Sequence, residues 1–298
     1  ILLSVRASEP WTATTNVPWL AITAGASGAT NGTVVFSVAA NGGGVSRSGA
    51  VIVAGGGLAL TCSVFQASTN WYVATNGNDT AEGITWATAK LTIQAAIDAA
   101  PPGCMIWVSN GVYAAGGRVM YGQTTNRVTL DKPITVQSVN GPEVSVIRGS
   151  GPEGPAAVRC AYVGSNAVLS GFTLTNGAVQ TSGNQFEREQ SGGGAWCEPS
   201  GVLNNCILVG NIGDNGGGAY GGRLYNCILA GNTGHYGGGA SKGALHNCLL
   251  IGNWANTYGG GSQDGTLINC TLTGNGAGGG GDLGGGGSWN GTFFNCIV

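Results

Sequence analysis

The chain has 298 residues, of which 42% are apolar and only 8% charged, with 58 glycines and a formal net charge of −2. An ordinary soluble domain carries about 25% charged residues; so little charge and no basic patch point away from nucleic acid as a partner. Glycine without a G-X-Y period excludes collagen, and no run of about 18 apolar residues is present to span a membrane.

The chain opens "ILLSVRASEPW", without Met or a signal peptide, and reads as a processed or truncated product. Residues 1–68 read as all-β. "TVVFSVAAN" (33–41), "GAVIVAG" (49–55) and "LALTCSVFQ" (58–66) alternate or run apolar between Gly, Asn and Ser turns. Trp11 and Trp19 supply much of a small sandwich core. With "PWTATTNVPWLAIT" (10–23), "VVFSVAAN" (34–41), "SRSG" (46–49) and Gln66, the region resembles the BACON family of bacterial Ig-like sandwich domains. That resemblance implies a module of secreted or surface proteins, serving as a spacer or binding carbohydrate.

From about residue 69 the pattern changes. "TIQAAIDAA" (92–100) places Ile93, Ala96, Ile97 and Ala100 at helical spacing. Thr92 is the expected N-cap, and Pro101 and Pro102 end the helix. "CMIWVSNGVY" (104–113), "RVTLDKPITVQSV" (127–139), "VSVIRG" (144–149), "AVRCAYV" (157–163) and "AVLSGFTLTNG" (167–177) follow as short strands, with no further helical period.

From about residue 192 the chain repeats itself. Cys206, Cys227, Cys248, Cys270 and Cys296 follow at spacings of 21, 21, 22 and 26, and Gly-Gly-Gly recurs in phase at 216–218, 237–239, 259–261 and 285–287. A period near 21 is too short for a helix pair or a propeller blade, and leucine-rich repeats need more leucines. One turn of a parallel β-helix fits, each coil stacking on the last at about 4.8 Å. Leu203, Leu224, Leu245, Leu267 and Phe293 then form one inward column. The cysteines form a second, which begins at Phe172 because "LSGFTLTNG" aligns with "LNNCILVGN". A site that accepts Phe or Cys is a core site, so the cysteines are expected to be buried thiols. The asparagines of Asn-Cys and Gly-Asn are expected to form ladders at turns.

"WYVATNGND" (71–79), "TIQAAIDAA", "IWVSNGVYAAGG" (106–117) and the Asn-Cys-x-Leu repeats make residues 69–298 resemble right-handed parallel β-helices of the pectin-lyase-like class, closest to uncharacterised bacterial surface proteins. The fold expected is therefore all-β: an N-terminal sandwich, then a right-handed parallel β-helix with a short capping helix. The fold hosts lyases, hydrolases, adhesins and inert scaffolds alike, so function rests on the side chains.

Glu198, Asp214, Arg223, His235, Lys242, His246, Asp264 and Asp282 scatter over the repeats. Lys242 and Asp264 share a repeat position and are expected to form a surface ion pair. Glu187 and Glu189 of "FEREQ" (186–190) read as a solvated loop, with a catalytic pair as the alternative, and "GAGGGGDLGGGG" (276–287) as a floppy loop. Asp79 and Glu82 are expected to shape turns in the entry segment. No catalytic residue, metal ligand or cofactor is assigned. Tyr220, Tyr236, Trp254 and Tyr258 are expected along one edge of the stack, as a line on which sugar rings could rest or as covers for bare glycine backbone. The function expected is a non-enzymatic extracellular or bacterial cell-surface scaffold, adhesin or fibre component. Its partners would be further copies of itself, head to tail, or surface glycans. The alternative is a polysaccharide-binding or polysaccharide-cleaving protein, and three or more charges converging in one groove within about 8 Å of each other would overturn the scaffold reading.

Overall fold

The computed structural model describes residues 1–39, 41, 46–66, 69–183, 186–279 and 285–298. The chain divides into two compact units, residues 1–70 and 71–298. Among the described residues no helix is long and apolar enough to cross a membrane.

The first unit packs a three-stranded and a four-stranded antiparallel sheet face to face. Strands Leu2–Val5, Gly32–Val38 and Leu20–Ala24 make one sheet. Trp11–Thr15, Arg47–Gly55 and Leu58–Gln66, with the short Ser27–Gly28, make the other. Trp11, Leu20, Val34, Phe36 and Val51 fill the space between them. Trp19 is only half-buried, and the Arg47 guanidinium lies 4.4 Å from its ring centre.

The second unit is a parallel β-helix. Leu169, Leu203, Leu224, Leu245, Leu267 and Phe293 are consecutive partners in parallel strands. On the next face Leu174, Leu208, Leu229, Leu250 and Leu272 stack in the same way. The third side stacks Ile212–Asn215, Thr233–Tyr236, Trp254–Tyr258 and Gly276–Ala277. The coil of 22 residues absorbs its extra residue here as a bulge: Gly234 pairs with Ala255, but Tyr236 pairs with Tyr258. The last coil's additional residues fall between Ala277 and Gly285, a stretch containing 280–284, which lie outside the described residues. Of the expected floppy loop at 276–287, Gly276–Ala277 is instead a strand of the third side, and 280–284, Asp282 included, lie outside the described residues.

Cys206, Cys227, Cys248 and Cys270 are buried below Phe172, Cys296 in the last described coil is only half-buried, and all nine cysteines are free thiols. Each column thiol donates to a backbone carbonyl, Cys227 to Tyr225 O at 3.2 Å for example. Asn205, Asn226, Asn247, Asn269 and Asn295 all take φ between 48° and 54°. This left-handed turn costs Asn less than other side-chain-bearing residues, and their amides hydrogen-bond along the surface from coil to coil. The other ladder, Asn211, Asn232, Asn253 and Asn275, runs inside. Each side-chain carbonyl from Asn232 onward accepts both the N–H and the Nδ2 of the Asn one coil earlier, at 2.9–3.0 Å. The Gly-Gly-Gly corner has two causes. At 192–194, 216–218, 237–239 and 259–261 the first glycine is left-handed, and a Cβ on the second or third would meet a carbonyl of the next coil.

The first coil is covered by α1 (Ile93–Ala99). The Thr92 side chain caps it by accepting from the Ala95 N–H, and Ile93, Ala96 and Ile97 join the core. Gln94 completes the cover: its amide accepts from Thr129 N at 2.7 Å and donates to Thr129 O at 3.4 Å, as a neighbouring strand would. Asp79 shapes the entry turn by accepting from the N–H groups of Leu91 and Thr92.

Candidate functional site

The regular coil is interrupted before Gly192 by an insertion carrying a second helix, α2 (Phe186–Gln190), where the sequence pattern gives a solvated loop. Two buried groups pin it. Arg159 donates to the carbonyls of Arg188, Ser191 and Gly192 and to Asn126 Oδ1 at 2.5–3.0 Å. All four acceptors are neutral, and burial brings this guanidinium down to about 9. Glu189 is buried too; its carboxylate accepts from Gln123 N at 2.7 Å and its carbonyl from Thr124 Oγ1 at 2.9 Å.

Beneath the insertion, Tyr162, Trp196 and Tyr220 occupy one outward column of successive coils. Their rings stack with centroids 5.5 and 6.0 Å apart and planes within 7° and 19°. The insertion covers them: Trp196 Nε1 donates to Glu187 O at 3.0 Å, and the Arg188 guanidinium lies 4.0 Å from the Tyr121 ring centre. The column continues as Ser241, Gln263 and Trp289.

Next to this covered stack lies an open groove of about 480 Å³, lined by Glu187, Arg188, Glu198, Arg223, Lys242 and Asp264. Lys242 Nζ is 2.6 Å from Glu187 Oε1, a contact joining residues 55 apart in sequence. Arg188 and Glu198 approach at 4.0 Å, and Tyr162 OH donates to Glu198 Oε1 at 3.0 Å. Hydrogen bonds from Lys242 and then Tyr220 hold the Glu187 carboxyl below the usual carboxylate range. The Glu187 bond raises Lys242 in turn, while burial pushes the Tyr220 hydroxyl up. Arg223 is exposed and has no ion pair among the described residues. Lys242 has φ +56°; of the ten left-handed residues other than glycine among the described residues, eight are Asn, one is Asp264, and Lys242 is the tenth.

Several sequence expectations change. The charges do not simply scatter: Glu198, Arg223, Lys242 and Asp264 meet Glu187 and Arg188 in one groove. Lys242 and Asp264 do share a coil position, but Lys242 pairs with Glu187 and Asp264 accepts from Asn290 Nδ2 at 2.7 Å. Asp214 and His235 lie apart from the groove, 3.5 Å from each other. His246 stacks on Tyr225 at 4.9 Å. The four aromatics do not share one line. Tyr220 belongs to the covered stack, while Tyr236 stacks on His235 at 4.5 Å and Tyr258 on Trp289 at 4.7 Å and 22°. Rings stacked on one another present edges, not faces, to a ligand. Trp254 lies over Gly276, where a Cβ would come 2.5 Å from its ring; it covers glycine backbone. Among the described residues no group of three His, Cys, Asp or Glu side chains could hold a metal ion. The groove left one trace in the sequence: Lys242 stands at a turn where the other coils have Gly221, Asp264 and Asn290.

Fold and site together define a parallel β-helix protein with a charged lateral groove. No protein-family model and no curated protein matches the chain. One solved structure, the pectin methylesterase PemA from Erwinia chrysanthemi, is similar, with a TM-score of 0.43 and 14% identity over 68% of this chain. The match takes in 65% of that protein, so this chain spans less than two thirds of its length.

Proposed function

We propose that this is an extracellular or cell-surface protein that binds polysaccharide in the groove beside Tyr220. One observation carries this reading: six ionisable side chains from the insertion and four successive coils meet in one open groove, against a stack of aromatic rings. A concave site with a few convergent polar groups is where a ligand is held and oriented. Charge makes up 8% of the sequence, so its concentration here is not a general property of the surface. Binding is favoured over cleavage by a lyase route, which needs a base able to shed its proton near neutrality. The groove's lysine is moved the other way by Glu187. The extracellular placement rests on the BACON-like residues of the first unit.

The test is a glycan array with the full chain and with Ala244→Trp, which fills the groove from a lining position that belongs to neither ion pair. Binding that the filled groove abolishes supports the proposal. Binding unchanged by Ala244→Trp, or none to any glycan, refutes it and restores the passive scaffold.

A further inference from the structure

Resting on that reading, we infer that the ligand is a neutral glycan bearing vicinal hydroxyls, and that the Glu187–Lys242 pair is the bracket that grips it. The groove carries three acidic groups (Glu187, Glu198, Asp264) and three basic ones (Arg188, Arg223, Lys242), so its formal charge is zero. Two of the cations already face carboxylates, at 2.6 and 4.0 Å. An incoming carboxylate would have to displace Glu187 from Lys242 or sit beside three like charges. A pair of neighbouring hydroxyls meets no such obstacle. One donates to the free lone pairs of Glu187, and the other accepts from a remaining N–H of Lys242. Both ends of the bracket stay charged and paired throughout. Among the described residues of the groove, Arg223, exposed and without an ion pair, is the one group that would favour an anion.

The backbone of Lys242 supports the same residue independently. Its position is left-handed in four successive coils, where the others have Gly221, Asp264 and Asn290. Glycine, Asn and Asp tolerate that geometry, and a long side chain does not. A strained residue persists where its side chain is needed, and Lys242 puts its ammonium on Glu187, with Tyr220 beneath it at 5.6 Å from the ring centre. Asn in its place would relax the turn and remove the cation.

The experiment titrates the full chain with cello-, manno- and xylohexaose and with oligogalacturonate, at about 0.05 and 0.5 M salt, a range over which attraction between exposed charges is largely screened. Lys242→Asn and Glu187→Gln accompany the parent. The expected result is binding of a neutral hexasaccharide that salt leaves nearly unchanged. Each variant should weaken it at least about tenfold, the loss of one charged hydrogen bond, while Lys242→Asn melts no lower than the parent. Preference for oligogalacturonate, abolished by salt and by Arg223→Ala, would overturn the neutral class and leave the groove as the binding site. Neutral binding indifferent to Lys242→Asn would overturn the bracket. Failure of all four oligosaccharides to bind would overturn this inference, while the groove reading is decided by the glycan array.

Discussion

Asn232 and Asn226 are six residues apart in one coil, and each belongs to an asparagine ladder, yet they should respond to substitution in opposite ways. Asn232 is fully buried with ordinary backbone angles. Its Oδ1 accepts from Asn211 N and Nδ2, both at 3.0 Å, and its Nδ2 donates to Leu208 O and Asn253 Oδ1, both at 2.9 Å. Asn232→Ala leaves the Asn211 N–H without that acceptor in a dry interior. An orphaned buried donor costs about 1–3 kcal/mol, and each of the three further lost bonds about 1, giving a sum of about 4–6 kcal/mol. Asn226 is exposed, its ladder bonds are 3.3–3.4 Å, and its φ is 54°. Asn226→Ala therefore costs chiefly the left-handed backbone, about 1–2 kcal/mol. Glycine separates the two causes: Asn226→Gly should recover most of the loss, while Asn232→Gly should be at least as damaging as the alanine. Urea unfolding followed by far-UV circular dichroism gives all four values. Recovery by glycine at position 232, or a larger loss at 226 than at 232, would refute the assignment of hydrogen bonding to one ladder and backbone geometry to the other.

Cys227→Ala should cost about 1–2 kcal/mol through lost burial and a small cavity. A thiol reagent should label Cys206, Cys227, Cys248 and Cys270 slowly in native protein; rapid labelling of these four would contradict the core column. Ile97→Asp places a charge against the first coil and should cost several kcal/mol, seen as a lower melting temperature with the loss beginning at the N-terminal coils in hydrogen exchange. The Glu187–Lys242 contact has a defined pH window. Glu187 has a lowered folded pKa, so its contribution is present above the ordinary Glu value of about 4.3 and is lost as pH falls through the folded value. Lys242 has a raised one, so its contribution is present below about 10.4 and is lost as pH rises through the folded value. Amide exchange around α2 should accelerate at the acid limit, and Glu187→Gln should remove that limb; an unchanged acid limb would show that other groups govern it.

The coils were legible in the sequence because a solenoid repeats its physics. One residue position recurs above itself, so a column of Leu or Cys, a left-handed Asn and a glycine corner each appear several times at one period. The cap was legible because a helical period stands alone among strands. The groove was not, because its parts come from outside the repeat. Glu187 and Arg188 lie in the insertion, which reaches a lysine 55 residues further on. Its short helix has too few residues to show a period. The buried Arg159 and Glu189 that fix it look like surface charges when only sequence is considered. The aromatics misled for a related reason: proximity to the glycine corner was visible, but not the side of the corner on which each ring falls. Tyr220 belongs to one column and Tyr236 and Tyr258 to another. Lys242 was the one visible anomaly, a long side chain at a position suited to Gly, Asn or Asp.

The most direct measurement is a crystal structure of the full chain with a bound oligosaccharide. The account predicts sugar density in the groove, with ring hydroxyls within hydrogen-bond distance of Glu187 and Lys242 and the Tyr162–Trp196–Tyr220 stack intact beneath. Sugar found instead on Trp254, or on residues 1–70 alone, with the groove empty at saturating ligand, would contradict it.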